Sequence, residues 1–125
     1  YEKKDYYQAI SEALKRYETG VIDKSKLQKT GQQLMFSAFG ENGVLTVTTK
    51  YKKSNGTDFK PVTKKDMEDA QKELSAGIFA GFRNPISHEE IKNLHGSGLL
   101  TEMDCLDSLS LLSHLFRRLD DAEKK

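Results

Sequence analysis

The chain has 125 residues, 31% charged and 36% hydrophobic, and its 20 basic side chains stand against 19 acidic ones for a net charge of +1. That length favours one domain with a hydrophobic core that needs no covalent staples, and the even balance argues against strong non-specific binding to duplex DNA, which asks for a large basic surface. The single cysteine, Cys105, has no intrachain partner and fits a reducing, cytoplasmic setting; no apolar run approaches the ~20 residues of a membrane span, and no signal-peptide pattern is present. The sequence begins at Tyr1 rather than at a methionine, so the expectation is one helical domain over 1–125, open to being a piece of a longer chain.

Tyr6, Ile10, Leu14, Tyr17 and Val21 recur every three or four residues, as one face of a helix requires. Leu27 extends the stripe, and Gly20 either ends the helix or leaves a weak point of about 1 kcal/mol within it. Thr30 followed by Gln33 has capping-box spacing. Leu34, Met35, Ala38 and Phe39 then fit a short apolar helix that stops at Gly40.

Residues 44–62 differ in character. "VLTVTTKY" is β-branched and alternating, and Asn55-Gly56 is a tight-turn signal, so a hairpin and an extended excursion are both open. Six lysines (Lys50, Lys52, Lys53, Lys60, Lys64, Lys65) face only Asp58 and Asp66 between positions 50 and 66, a local basic patch. Thr63 with Asp66 resembles a helix start, leading into a stripe of Met67, Ala70, Leu74, Ile78 and Phe82. Gly77 and Gly81 run alongside, with ordinary helix packing as the plainer reading and a close helix pair at a dimer interface as the functional one. The last helix begins near Thr101 and Asp104 and points Met103, Leu106, Leu109, Leu112, Phe116 and Leu119 inward, with Leu111 and Leu115 widening the stripe. The sum is an all-α fold of four main helices with a short extended or hairpin-like insertion near 44–62.

Little in the sequence offers catalytic chemistry. His88, His95 and His114 lack zinc-site spacing, and Cys105 lacks a Cys-x-x-Cys partner. Glu89 and Glu90 beside His88 are a weak magnesium candidate; partners for a helix dipole are the plainer reading. No nucleophile elbow, phosphate-cradling loop or dinucleotide fingerprint is present, so no metal and no cofactor is expected. "HGSG" at 95–98 reads as a connector, and Cys105 and His114 as packing residues in the last helix.

"GFRNPISHEE" at 81–90 remains. On an unbroken helix Arg83 and His88 would point roughly 140° apart. Pro85 has no N–H and its ring opposes the carbonyl of Gly81, while Asn84 is a favoured N-cap and is pushed from helical geometry by the proline that follows. Asn84-Pro85 is therefore expected to end or kink the helix and free Arg83 and His88 from that phase. A helix junction with a polar exit is the plainer reading.

Arg-x4-His late in a helix of a small helical domain resembles the HEPN superfamily signature. The blocks "DYYQAISEALKRYE" (5–18), "KTGQQLMFSAF" (29–39), "GIFAGFRNPISHE" (77–89) and "LDSLSLLSHLFRRLDDA" (106–122) resemble, in order, those of its prokaryotic Ymh-like branch. The resemblance implies a bundle of four to five helices that forms a homodimer through the motif. It also implies a metal-independent endoribonuclease acting on RNA in phage defence or a toxin-like system, with an antitoxin or a larger defence protein as a further partner. Arg83 and His88 become the catalytic pair by position, and Asn84 matches the polar residue that often follows the arginine. HEPN toxins paired with a nucleotidyltransferase antitoxin carry tyrosine two residues after the histidine; Glu90 stands there instead.

In such a mechanism histidine, with an ordinary pKa of about 6.5, suits proton transfer at either end of the displacement. A two-fold dimer supplies two such groups, and Arg83 grips the phosphorane oxygens. Asn84 orients His88 or binds phosphate, with Ser87 and Glu89 in support. Lys50, Tyr51, Lys52 and Lys53 combine charge with an aromatic face suited to single-stranded RNA, against a plainer reading as a solvated loop. The alternative to an enzyme is a non-catalytic HEPN module that uses the same surface to bind RNA, a nucleotide or a protein; weaker still is a helical assembly domain in which Arg83 and His88 only cap and pack.

Overall fold

A computed structural model describes residues 6–125 of the chain; Asp5, which opens the first block above, lies outside them. Helix α1 spans Tyr6–Ser25. All five stripe residues are buried, joined by Tyr7. Gly20 does not end the helix: a Cβ built there would sit 3.0 Å from Leu119 Cδ2, so the missing side chain lets α1 lie close on the last helix.

Helix α2 is Gly31–Ala38, with Thr30 at the N-cap position. The expected Thr30–Gln33 box does not form, because the Thr30 side chain makes no cap hydrogen bond. Glu18 of α1 takes the role instead and accepts the Gly31 N–H at 2.7 Å. Leu34, Met35, Ala38 and Phe39 are buried as read, and Gly40, at φ +92°, turns the chain.

Strand β1 is Leu45–Thr46, and its partner is not within 44–62. It pairs antiparallel with β2, Glu123–Lys124, in the register Leu45–Lys124 and Thr46–Glu123. The Asn55-Gly56 turn forms, with Gly56 at φ +86° and Lys53 N–H on Thr57 O at 2.8 Å, but residues 47–60 carry no strand around it. The insertion is therefore the extended excursion. Buried Glu68 ties down its start, accepting from Thr46 Oγ1 at 2.6 Å and Val47 N at 2.7 Å.

Helix α3 is Pro61–Ile78, starting two residues before Thr63 because proline at the first helical position is already set at helical φ. Its buried face is Glu68, Gln71, Ser75, Ala76 and Ile78. Of the stripe read from the sequence, Ile78 is buried, while Leu74 is 41% exposed. The reason is a polar core contact. Tyr17 Oη and Ser75 Oγ lie 2.7 Å apart, and Gln71 Nε2 donates to Tyr17 Oη at 2.8 Å and to Leu115 O at 3.2 Å. Gly77 and Gly81 meet open space within the chain, so neither serves the ordinary intrachain packing expected of it.

The helical path continues through a π-helical turn, Phe79–Arg83, into α4, Asn84–His88. After α5, Ile91–Leu94, the glycines of "HGSG" adopt φ +78° and +82° and form the connector. Helix α6, Glu102–Asp120, opens on the full Thr101–Asp104 capping box, with bonds of 2.9 and 3.1 Å. Its inward face is Cys105, Ser108, Leu112, Leu115 and Leu119, rotated from the one read in the sequence: Met103 is 65% exposed and Leu106 is exposed too.

The fold is an all-α bundle, and among the described residues strand is limited to the β1–β2 clasp. Helices α1 and α6 run parallel, since Tyr7 Oη donates to Leu100 O at 2.7 Å near one end and Lys24 Nζ to Asp120 O at 2.8 Å near the other. Helix α3 runs antiparallel to both. No helix among the described residues is long and apolar enough to cross a membrane.

Candidate functional site

The motif sits where the α-helical ladder widens. Asn84 N–H bonds to Phe79 O, five residues back, and Asn84 holds φ −65°, ψ −49°. Asn84-Pro85 therefore does not break the helix, and Asn84 is no N-cap. Proline still dictates the local geometry. It cannot donate to the ladder and its ring crowds the carbonyl a turn earlier, and the wider π turn accommodates that gap. The change of helical phase expected at Asn84-Pro85 is made one turn earlier, by Phe79–Arg83.

Two groups hold the Arg83 guanidinium and a third leaves room for it. Glu18 Oε2 lies 3.6 Å from Nη1, and the Phe79 ring lies beneath at 5.7 Å. Gly31, at φ +57°, leaves the third space: a Cβ there would sit 2.7 Å from Nη1. The side chain keeps 39% exposure and lines a cavity of about 210 Å³ with Ser11, Lys15, Glu18, Phe79 and Ser87. Arg83 and Ser87 thus share one site. His88 and Glu89 are exposed on the adjoining end of α4 and do not line that cavity. Asn84 Nδ2 donates to Gln32 Oε1 at 3.5 Å, so its contact is with α2.

The suggested RNA platform lies elsewhere. Lys64, near the start of α3, borders the same cavity as Tyr51, some 28 Å along the helical path from Arg83 at about 1.5 Å per residue. Tyr51 is also engaged: Arg118 stacks over its ring at 4.9 Å and its hydroxyl donates to Asp121. Lys52 pairs with Asp58. The cavity there, about 260 Å³ and mainly apolar, is lined by Val47, Phe59, Met67 and Arg118 among others and contains no motif residue.

Among the described residues no group of three or more His, Cys, Asp or Glu side chains could hold a metal, and Glu90 pairs with Lys92 at 3.1 Å. Cys105 is buried, and burial, then nearby Asp104, pushes its thiol pKa up. Burial, Arg118 and Arg117 push the His114 pKa down.

Sequence reasoning missed Ser11, Lys15 and Glu18. They recur at helical spacing beside the apolar stripe of α1, a pattern that an ordinary solvated face also gives; only the antiparallel return of α3 brings them to Arg83. No curated protein and no solved structure matches the chain. A family model described as "Protein of unknown function (Hypoth_ymh)" matches residues 1–119, and the chain belongs to that family.

Proposed function

We propose that the protein is a HEPN-type, metal-independent endoribonuclease whose site is completed by a second copy of the chain. The observation that carries this is the state of Arg83: anchored by Glu18 and Phe79, still open on one face, and sharing a cavity with Ser87, the residue just before exposed His88. A preorganised guanidinium is what a phosphorane needs as its equatorial oxygens gain charge. The nucleophile is the substrate's own 2′-hydroxyl. One His88 takes its proton, the partner copy's imidazole protonates the leaving 5′-oxygen, and the products are a 2′,3′-cyclic phosphate and a 5′-hydroxyl. Exposed Leu74 with open Gly77 and Gly81 on the same helical path supports a second copy approaching this end.

The test is cleavage of diverse single-stranded RNAs in EDTA by the wild type, Arg83→Ala and His88→Ala. The wild type cleaves, and each variant loses at least about 100-fold in rate with its helical circular dichroism and sedimentation unchanged. Activity that EDTA abolishes, or that survives both substitutions, refutes the mechanism. Wild-type inactivity across all the RNAs leaves the binding-module reading standing in its place.

A further inference from the structure

The Arg83 cavity has a second wall that the motif does not supply. Ser11, Lys15 and Glu18 come from α1 at spacings of four and three, so they form one row on that helix. We propose that this row makes the cavity a two-cation phosphate seat, in which Lys15 is a phosphate-contacting residue and Glu18 a positioning residue for Arg83. The proposal rests on the ribonuclease reading for its substrate, an RNA phosphodiester, and on the cavity alone for its anion chemistry.

Glu18 Oε2 makes two contacts. It accepts the Gly31 N–H at 2.7 Å and faces Arg83 Nη1 at 3.6 Å. A carboxylate so engaged fixes a long side chain that would otherwise lose rotamer freedom when the substrate binds. Gly31 belongs to the same device, because any Cβ at that φ would displace the guanidinium. With Phe79 beneath, the open edge of Arg83 faces the cavity that Lys15, Ser11 and Ser87 border. Two cations and two hydroxyls line about 210 Å³ beside the single carboxylate of Glu18, which faces Arg83, and this surplus of positive charge suits a tetrahedral oxyanion. The volume is below the roughly 300 Å³ at which pockets begin to enclose a drug-sized ligand, so the seat takes a phosphate group and leaves base and sugar outside.

Two measurements test this. The first titrates inorganic phosphate into the protein and follows the Arg83 Nε and Gly31 amide resonances. Both shift saturably in the wild type, and Lys15→Gln weakens binding at least fivefold; Lys15 is exposed, so the fold is not at stake. The second is RNA cleavage. Lys15→Gln raises KM about tenfold and reduces the salt dependence of binding by about 0.7 in log–log slope, the share of one phosphate contact on a single strand. Glu18→Gln keeps an acceptor for Gly31 but drops the ion pair, so kcat falls about tenfold with the melting temperature nearly unchanged. Resonances that ignore phosphate, or Lys15→Gln binding it within twofold of the wild type, overturn the seat. Phosphate binding as inferred beside RNA left intact by the wild type overturns the ribonuclease reading and leaves the seat standing. RNA cleavage indifferent to Lys15 and Glu18 does the reverse.

Discussion

Tyr17 joins three helices through its ring and its hydroxyl. Its ring lies in the core edge-on to Phe116, 5.2 Å between centroids, while its hydroxyl meets Ser75 and Gln71 of α3, and Gln71 also reaches Leu115 O of α6. Tyr17→Phe keeps the ring and removes the hydroxyl, leaving Ser75 and Gln71 short of a partner in the core. The expected loss is about 1–3 kcal/mol, the usual cost of a buried polar group left unsatisfied, read as a lower urea midpoint. Burial pushes the Tyr17 phenol pKa up to about 12 from 10.0, so between those values the folded chain holds a proton that the unfolded chain releases. Its stabilisation is complete below pH 10 and is lost as pH rises toward 12; Tyr17→Phe should flatten that alkaline decline in melting temperature. His114 has the opposite sign. Its depressed pKa means that stability is present above 6.5 and falls as the solution is acidified, and His114→Gln should flatten a melting curve series between pH 5 and 7. The sequence placed Tyr17 in the core correctly, but its partners lie 54 and 58 residues away, and a glutamine and a serine on a helix read locally as a wet face.

At the scale of elements, the same fact explains why α1 was legible and α3 and α6 were misphased. Periodicity assumes that the apolar side of a helix faces in. It holds for α1, whose stripe is wholly buried. In α3 the inward face is Glu68, Gln71 and Ser75, each hydrogen-bonded, and in α6 the Cys105–Ser108 side turns in while Met103 turns out. The π turn was equally hidden: proline announced a disturbance at Asn84-Pro85, but backbone rules place a break there, whereas the helix absorbs it upstream. Gly77 makes the exposed side of α3 testable. Its missing Cβ meets nothing within the chain, so Gly77→Ala should stabilise the isolated protomer by about 0.5–1 kcal/mol through reduced backbone freedom. If the glycine exists to let a second copy's backbone approach, the same substitution raises the melting temperature of the dilute protomer and weakens its dimer. Sedimentation of both proteins across a concentration series separates these effects.

At the scale of the whole molecule, part of the exposed apolar surface gathers at one end, apart from Phe36 and Val62 elsewhere. Because α6 runs parallel to α1 and α3 returns antiparallel, the end of α4, the connector and the start of α6 lie together, and there Ile91, Leu99 and Met103 are 50–69% exposed. Length indicated one domain and periodicity a helical one; neither carried a sign of this patch, since periodicity counted Met103 as core. An apolar end beside His88 suits closure by a symmetric copy, in which each surface meets itself. Met103→Glu with Leu99→Glu should therefore fold as the wild type does, since neither side chain is buried, sediment as a monomer, and lose RNA cleavage with Arg83 and His88 untouched. A stoichiometric consequence is sharper. If one imidazole starts the displacement and the partner's finishes it, a dimer with a single His88 is inactive. Wild type mixed with His88→Ala and allowed to exchange subunits then loses activity as the square of the wild-type fraction, to about one quarter in an equal mixture rather than about one half. Linear loss means that each chain works alone, and the composite site is then wrong however active the enzyme proves to be.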